Sequence, residues 1–159
     1  MNISEAAYRY IEHRPRTREE MGKHLLAKGF ERDDIDAEIS ELESLGYLND
    51  IEYVIAYLNY GFSKGKGIKL IKYELYDKGV SSNDVEDGIA QFEEVFGYDL
   101  ESEEKERAEK EALKVVDDDE IIDEKKAMKI ARRLSSKGYE TGLIWSVIDK
   151  LRSEREPFE

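Results

Sequence analysis

The stretch "GFSKGKG" at residues 61–67 is the part of the sequence whose residue types could bind a phosphate group. It combines three glycines with two lysines, and phosphate-binding loops use flexible glycine backbone together with lysine ammonium groups. A Walker A loop needs four residues between its first glycine and a Gly-Lys-Ser/Thr sequence. Here three residues separate Gly61 from Gly65, and Lys66 is followed by another glycine. The spacing therefore argues against a nucleotide site.

Two other interpretations of this stretch stay open, and they are compatible: a flexible connection and an anion-contacting surface. Lys64 and Lys66 lie in the loop, while Lys69 and Lys72 lie three residues apart on the helix that follows. Four positive charges then gather at a helix N-terminus, where free backbone N–H groups favour phosphate or carboxylate. An ordinary solvated helix face explains the same residues equally well.

The elements that carry these residues follow from an internal repeat. Three segments align on a Lys-Gly pair at Gly29, Gly79 and Gly138. Apolar residues recur in each copy eight and four positions before the glycine, and six, ten and thirteen positions after it. These offsets are helical on both sides of the glycine. Each copy is therefore predicted to form two helices joined by a turn, with the glycine in the left-handed conformation that ends the first helix.

A further helix is predicted before each pair. These three additional helices cover residues 2–13, 50–60 and about 100–116. The predicted fold is therefore all-α, with three tandem three-helix repeats forming an elongated, curved rod, because a unit this small must lean on its neighbour to close a core. The predicted repeats are 1–48, 49–97 and 98–159, the last with an acidic connection.

The charge of the chain is strongly negative but unevenly distributed. The formal net charge is -13, and most of the excess lies in residues 93–124. We interpret this segment as a solvated helix and loop. The carboxylates at 117–120 lack the alternating ligands and the turn glycine of an EF-hand, which favours a solvated linker. The basic residues of the first half can then act locally, among them Arg14, Arg16 and Arg18 in the connection of the first repeat.

Several classes of site have little support in the sequence. The chain has no cysteine, which removes disulfides, thiolate metal ligands and cysteine nucleophiles. His13 and His24 lie on different predicted helices, so neither a zinc site nor a histidine-centred triad is expected. No apolar run approaches the roughly 20 residues that span a bilayer, and the start shows no signal-peptide pattern. We expect a cytoplasmic protein without cofactor, catalytic activity or membrane contact.

Two aromatic residues raise open questions. Tyr57 lies on the face of the 50–60 helix opposite its apolar residues. It is a candidate partner contact, because tyrosine is common at binding hot spots; packing against a neighbouring repeat is the alternative. Trp145 occupies a position where the other two repeats carry acidic residues. Either Phe158 of the C-terminal "EPFE" covers it, or it is exposed for a partner.

The sequence resembles the RecX family of bacterial regulators of the RecA recombinase, because it contains three segments in an order that is typical of that family. The segments are "RPRTREEMGKHLLAKGF", "LESLGYLNDIEYVIAYL" and "KGKGIKLIKYELYDKGV", and the similarity extends from about Tyr8 to Leu151. The resemblance implies tandem three-helix repeats and a regulatory role in DNA recombination and repair. It also implies binding along the groove of the RecA filament on single-stranded DNA, with inhibition of strand exchange and ATP hydrolysis as the usual effect.

The residues to which the resemblance points are basic. The basic first connection of the family corresponds to the three arginines named above. The glycine–lysine loop of the family corresponds to residues 64–67. The candidate partner-binding residues are Arg14, Arg16, Arg18, Lys64, Lys66, Lys69, Lys72 and Tyr57. The acidity of the chain predicts weak or no binding to free DNA, and we expect a monomer. The alternatives are a direct nucleic-acid binder of helix-turn-helix type, for which no helix shows a dense base-reading face, and a helical adaptor for another assembly.

Overall fold

The chain is helical throughout the part that the structure describes. The structure is a computed structural model, and it describes residues 1–155. Within these residues there are nine α-helices, one short 3-10 helix at Leu113–Val115 and no strand. The α-helices are α1 Ile3–His13, α2 Arg18–Ala27, α3 Arg32–Ser44, α4 Asp50–Ser63, α5 Ile68–Asp77, α6 Ser82–Phe96, α7 Leu100–Ala112, α8 Glu124–Ser136 and α9 Thr141–Glu154. The predicted all-α class is confirmed.

Side-chain caps explain where several helices begin. Thr17 and Glu20 form a capping box at the start of α2, in which each side chain accepts a hydrogen bond from the backbone N–H of the other residue. The Asn49 side chain accepts a hydrogen bond from the Glu52 N–H at the start of α4. Both caps have the three-residue spacing between the cap and its partner that is typical of a helix N-terminus. Thr141 is different, because it is the first residue of α9 and Glu140 occupies the cap position without a side-chain bond.

The predicted glycine turns are present in all three copies. Gly29, Gly79 and Gly138 have φ angles of 94°, 87° and 89°, respectively, which is the left-handed region. The residue after each glycine donates its N–H to a carbonyl in the last turn of the preceding helix. This hydrogen bond is the 6→1 bond of a Schellman motif. The turn joins α2 to α3, α5 to α6 and α8 to α9.

The apolar positions of the repeat form the interior. All the aligned positions are buried except Ile89, which is half-buried. One core cluster consists of Ala6, Ala7, Met21, Leu25, Ile35, Ile39, Leu42 and Leu48. A second cluster consists of Ala108, Ala112, Val116, Ile122, Ala127, Ile130, Leu134, Tyr139, Ile144, Val147, Ile148 and Leu151. None of the helices among the described residues is long and apolar enough to cross a membrane.

Two compact units make up the described chain. The first unit comprises Met1–Tyr57 and Glu74–Phe92, and the second comprises Leu58–Tyr73 and the described residues from Glu93 onward. The division therefore falls inside α4, inside α5 and inside α6. It does not follow the predicted repeat boundaries at 48/49 and 97/98, which stay a prediction.

In the first unit, α6 approaches α4 closely at a helical glycine. Gly88 is buried, and a Cβ atom placed there would lie 2.5 Å from the Val54 side chain and 3.3 Å from the Ile51 carbonyl oxygen. Both of these neighbours are on α4. A larger residue at this position would force the two helices apart, since protein interiors have little spare volume.

We expect Gly88→Ala to destabilise the protein by about 1–3 kcal/mol through overpacking. Gly142→Ala is the matched control in another helix, because a Cβ at Gly142 would meet nothing within 4 Å. Alanine should stabilise that position by about 0.4–1 kcal/mol by restricting the unfolded chain. Urea unfolding followed by circular dichroism measures both changes. Equal effects of the two substitutions would contradict the proposed close approach of α4 and α6.

Candidate partner-binding surface

The glycine–lysine loop begins as the C-terminal turn of α4. Gly65 has a φ of 76° and donates its N–H to the Phe62 carbonyl at 3.0 Å. The Lys66 N–H donates to the Gly61 carbonyl, also at 3.0 Å. The loop is therefore a Schellman-type helix end, and its first glycine belongs to α4. This geometry rules out the extended nest of free N–H groups that a phosphate-binding loop presents.

Residues between α8 and α9 hold the same loop within the second unit. The Lys137 ammonium group donates to the Lys64 carbonyl at 2.9 Å, and the Tyr139 hydroxyl donates to the Gly65 carbonyl at 2.9 Å. In return, the Gly67 N–H donates to the Lys137 carbonyl at 2.7 Å. Three hydrogen bonds, each across seventy or more residues of sequence, fix the backbone that carries Lys64 and Lys66. The loop is therefore not a free flexible connection.

The N-terminus of α5 is already occupied by a carboxylate of the protein. Glu104 on α7 accepts the Ile68 N–H at 3.0 Å and also pairs with Arg107 at 2.6 Å. The sequence predicts backbone N–H groups available to an anion at this point, whereas the structure assigns those of Gly67 and Ile68 to protein acceptors. The lysine side chains are therefore the groups through which this surface can attract an anion.

Glu111 on α7 is a buried charge beside the loop. Its side chain is 2% exposed and pairs with Arg133 at 2.7 Å, Lys114 at 2.9 Å and Lys137 at 3.8 Å. A Cβ atom at Gly65 would overlap its carboxylate. Burial opposes ionisation of Glu111, but the hydrogen bonds from Lys114 and Arg133 outweigh it and lower the pKa of this carboxyl group.

The acidic segment therefore has two parts with different roles. Glu104 and Glu111 are structural groups inside the second unit, which differs from the prediction of a solvated helix. The later part is a local loop, in which the Glu120 side chain accepts the Asp117 N–H and pairs with Lys126 at 2.9 Å. Within residues 1–155, no group of three or more His, Asp or Glu side chains could hold a metal ion.

The four candidate lysines of the second unit differ in their surroundings. The ammonium groups of Lys64 and Lys66 lie 5.8 and 5.5 Å from the centre of the Tyr60 ring, which is 50% exposed. Lys69 lies 3.7 Å from Glu140, and both side chains are more than two-thirds exposed. Lys72 is half-buried. Tyr60 lies on the same tyrosine face of the 50–60 helix as Tyr57 but was not among the candidate partner-binding residues, although its position four residues before Lys64 on a helical turn was a usable signal.

The three candidate arginines of the first unit have partners within that unit. Arg14 pairs with Glu20 at 2.7 Å, and Arg18 pairs with Glu43 at 2.6 Å. Burial opposes ionisation of Glu20, but the hydrogen bonds from Arg14 and the Thr17 N–H prevail and lower its pKa. The charge of this connection is thus largely compensated inside the protein.

Arg16 is held by an aromatic stack. Its guanidinium lies 3.8 Å from the centre of the Tyr10 ring and donates to the Tyr10 carbonyl at 3.0 Å. The His24 ring stacks on Tyr10 at 3.8 Å with an interplanar angle of 2°. Since His24 fills one face of the tyrosine ring, Arg16 must lie on the other. Burial, followed by the charges of Lys28 and Arg16, lowers the pKa of His24.

The two aromatic residues in question have different exposures. Tyr57 is half-buried, its hydroxyl donates to Glu74 at 3.2 Å, and the Lys78 ammonium lies 5.6 Å from its ring centre. These contacts lie within the first unit and favour a packing role. Trp145 is 39% exposed. Its predicted partner, Phe158, lies outside the described residues.

The described chain is an all-helical protein whose helix pairs are joined by glycine turns, with lysines on a fixed loop. Comparison with known proteins identifies the family of the chain. The model for the first three-helix domain of RecX matches residues 5–42. Regulatory protein RecX of Clostridium beijerinckii is 30% identical over 154 residues, which cover 95% of this chain and 68% of the relative. This chain belongs to the RecX family.

Other relatives agree with this assignment. Regulatory protein RecX of Streptococcus uberis is 31% identical over 150 residues, covering 92% of this chain and 54% of the relative. The crystal structure of RecX from Lactobacillus salivarius superimposes with a TM-score of 0.73 at 26% identity, covering 94% of each chain. A second structure of regulatory protein RecX shares the fold, with a TM-score of 0.68. The chain spans about half to two thirds of the length of the curated relatives it matches.

We expect Glu111→Gln to destabilise the protein by roughly 1–3 kcal/mol, because three cations lose their shared carboxylate. A carboxyl group whose pKa is lowered in the folded state contributes stability above its ordinary pKa of 4.5, and this contribution is lost as the pH falls further. The difference between the native chain and the variant should therefore shrink below that pH. Urea unfolding at several pH values measures it.

The control for this variant is Glu106→Gln, which removes an exposed, 3.9 Å pair with Lys110 on the same helix. Exposed pairs contribute little to stability, so this substitution should leave unfolding nearly unchanged at every pH. A Glu111→Gln protein as stable as the Glu106→Gln protein would show that the buried carboxylate does not hold the loop.

Proposed function

We propose that this protein regulates RecA by binding the RecA filament on single-stranded DNA and inhibiting its recombinase and ATPase activities. Membership of the RecX family supports a regulatory role. The observation that carries the proposal is the fixed loop at residues 64–67, which projects lysines from a chain with a net charge of -13. A charged surface on a rigid backbone loses little conformational entropy when it binds.

Inhibition of this kind needs no chemistry from the regulator. A protein bound along a filament can obstruct the entry of a second DNA strand or the addition of further subunits by its volume alone. A binding protein needs only shape and complementary charge, and electrostatic complementarity also speeds the encounter between partners. The regulator would act as a monomer in the cytoplasm, where RecA works.

The net negative charge favours a coated strand over a bare one. Non-specific affinity for DNA comes mostly from neutralised phosphates, and most of this chain repels phosphate. A strand coated with protein offers side-chain carboxylates and apolar groups in addition to phosphates. The lysines of the second unit can pair with such carboxylates while the remaining acidic surface suppresses binding to free DNA.

The arginines of the first unit are secondary contacts in this proposal. Arg14 and Arg18 are paired with Glu20 and Glu43, but both arginine side chains remain 44% and 54% exposed, respectively. Exposed pairs are worth about 0–1 kcal/mol, so a partner carboxylate can share these guanidinium groups at low cost. Arg16, which is stacked on Tyr10, is the least available of the three.

Binding to single-stranded DNA, bare and coated with RecA and a non-hydrolysable ATP analogue, tests the proposal directly. At near-physiological salt we expect tight binding to the coated strand only, together with a lower ATPase rate when ATP is supplied. Equal or stronger binding to bare DNA would favour a direct nucleic-acid binder. Binding to neither would favour an adaptor for another assembly.

Reversing the charges of Lys64, Lys66 and Lys69 to glutamate should weaken filament binding by about tenfold or more, as expected for charged contacts at an interface. The control variant has the same change in net charge, because it replaces three other lysines by glutamate. These are Lys105, Lys125 and Lys129, which are exposed and lie on α7 and α8. Anisotropy titrations of labelled filament compare the two, with circular dichroism to verify helicity. If both triple variants bind the filament equally weakly, the change in net charge alone explains the loss of affinity. That result would contradict the proposed site.

Tyr57→Ala should lower stability by roughly 1–2 kcal/mol, within the usual range for a point variant. Filament affinity should stay unchanged once folding is complete, because the hydroxyl and ring of Tyr57 are used by Glu74 and Lys78. Thermal unfolding and the same anisotropy titration measure the two quantities. A loss of affinity with unchanged stability would instead make Tyr57 a partner contact.

A further inference from the structure

A groove of about 280 Å³ lies in the second unit between the first half of α5 and the turn that joins α8 to α9. Its walls include Lys69 and Tyr73 from one side and Ser135, Glu140 and Thr141 from the other. Pockets that enclose whole small molecules have volumes of about 300–1,000 Å³. This groove lies just below that range, and it suits one or two side chains of a bound peptide.

The walls of the groove are fixed by direct packing. Gly138 faces Leu70 so closely that a Cβ atom on the glycine would overlap the Leu70 side chain and lie 2.8 Å from its backbone nitrogen. The hydrogen bond from Gly67 to Lys137 lies next to this contact. A groove whose walls are held in this way is preformed, so binding does not require the cost of ordering them.

Tyr73 forms an exposed aromatic wall. It is 68% exposed, more than Tyr60 at 50% or Tyr76 at 44%. Tyrosine is enriched among residues that dominate binding energy, because it offers a large rigid ring with a polar end. Neither the core clusters nor the contacts that hold the glycine–lysine loop use this ring. The Tyr73 ring is therefore exposed at the groove, where it can contact a partner.

The charged pair at the rim of the groove is easily exchanged. The Lys69 ammonium lies 3.7 Å from Glu140, and these side chains are 71% and 72% exposed. An exposed pair at this distance contributes little. A carboxylate from a partner can replace Glu140 as the neighbour of Lys69, and Lys72 lies three residues further along α5.

We propose that this groove is a docking surface for an acidic segment of a protein, with one carboxylate on Lys69 and an adjacent apolar or aromatic side chain against Tyr73 and Leu70. The identity of this segment rests on the proposed function, according to which it is part of RecA in the filament. The exposed charge of Lys69 beside the apolar wall of Leu70 and Tyr73 favours this occupant. A nucleic acid fits less well, because it carries a negative charge on every nucleotide and is repelled by a chain of net charge -13 more strongly than a segment with a single carboxylate.

Two groove variants and one control test the proposal on the RecA filament. Tyr73→Ala removes the aromatic wall, and Ser135→Trp fills the groove from the opposite side. Tyr47→Ala removes a ring that is 54% exposed but lies in the first unit. Both groove variants should bind the coated strand roughly tenfold or more weakly, as for loss of a hot-spot residue, while the control binds normally.

The outcomes separate the two proposals. Normal filament binding by the groove variants overturns the docking surface and leaves the proposed function standing. Failure of the unaltered chain to bind the filament overturns the proposed function, and also the identity of the segment. A matching loss of binding to bare DNA in the groove variants would make nucleic acid the occupant and overturn the docking of an acidic segment.

A peptide titration tests the groove independently of RecA. The probe is a blocked hexapeptide of alternating aspartate and phenylalanine, and the control peptide carries lysine in place of aspartate. In amide-resolved NMR spectra of the full chain, the acidic peptide should shift the resonances of Leu70, Tyr73, Ser135 and Thr141, and the Tyr73→Ala variant should lose these shifts. Shifts with both peptides, or with neither, would contradict a surface for acidic segments.

Discussion

The second unit depends on how the charge of Glu111 is compensated. A carboxylate with 2% of its side chain exposed must be paired and hydrogen-bonded, because an uncompensated buried charge costs several kcal/mol. Arg133 and Lys114 provide the close pairs, and Lys137 extends the cluster to the glycine–lysine loop. The position of the carboxylate also leaves no room for a side chain at Gly65. The buried charge therefore determines both which cations gather here and which residue the loop can carry.

The same constraint links the acidic and basic parts of the chain. The helix that contributes much of the negative charge, α7, also supplies Glu104 and Glu111, which hold the start of α5 and the loop before it. The lysines proposed to contact a partner are thus carried on backbone that acidic residues keep in place. The sum of the formal charges in this region does not give the charge of its surface, since some carboxylates are internal and others face water.

Much of the fold could be predicted from the sequence because its signals are local. The offsets around Gly29, Gly79 and Gly138 are a helical period interrupted by a left-handed turn, and both features depend on residues close together in the chain. The caps at Thr17 and Asn49 span only three residues. Thr141 shows the limit, because a residue type suitable for a cap does not by itself determine at which residue the helix begins.

The candidate site was less predictable because its contacts join distant residues. The Tyr139 hydroxyl reaches the Gly65 carbonyl across 74 residues, and Glu104 accepts a hydrogen bond from Ile68 across 36. Neither spacing leaves a pattern in a single sequence. A run of lysines at a helix N-terminus therefore looked like an anion site with free backbone donors, whereas a distant carboxylate had already taken one of them.

Pairing also changes the meaning of the two basic segments that look alike in the sequence. Arg14 and Arg18 form pairs shorter than 2.8 Å, and Arg16 stacks on a ring, so the first segment is part of the packing of its own unit. By contrast, the ion pair of Lys69 is 3.7 Å long and exposed, and Lys64 and Lys66 lie over a half-exposed ring. A charge that is weakly held within the protein costs little to redirect toward a partner. This difference in local pairing makes Lys69 a stronger candidate for contact than Arg14 or Arg18, although all three carry the same kind of charge.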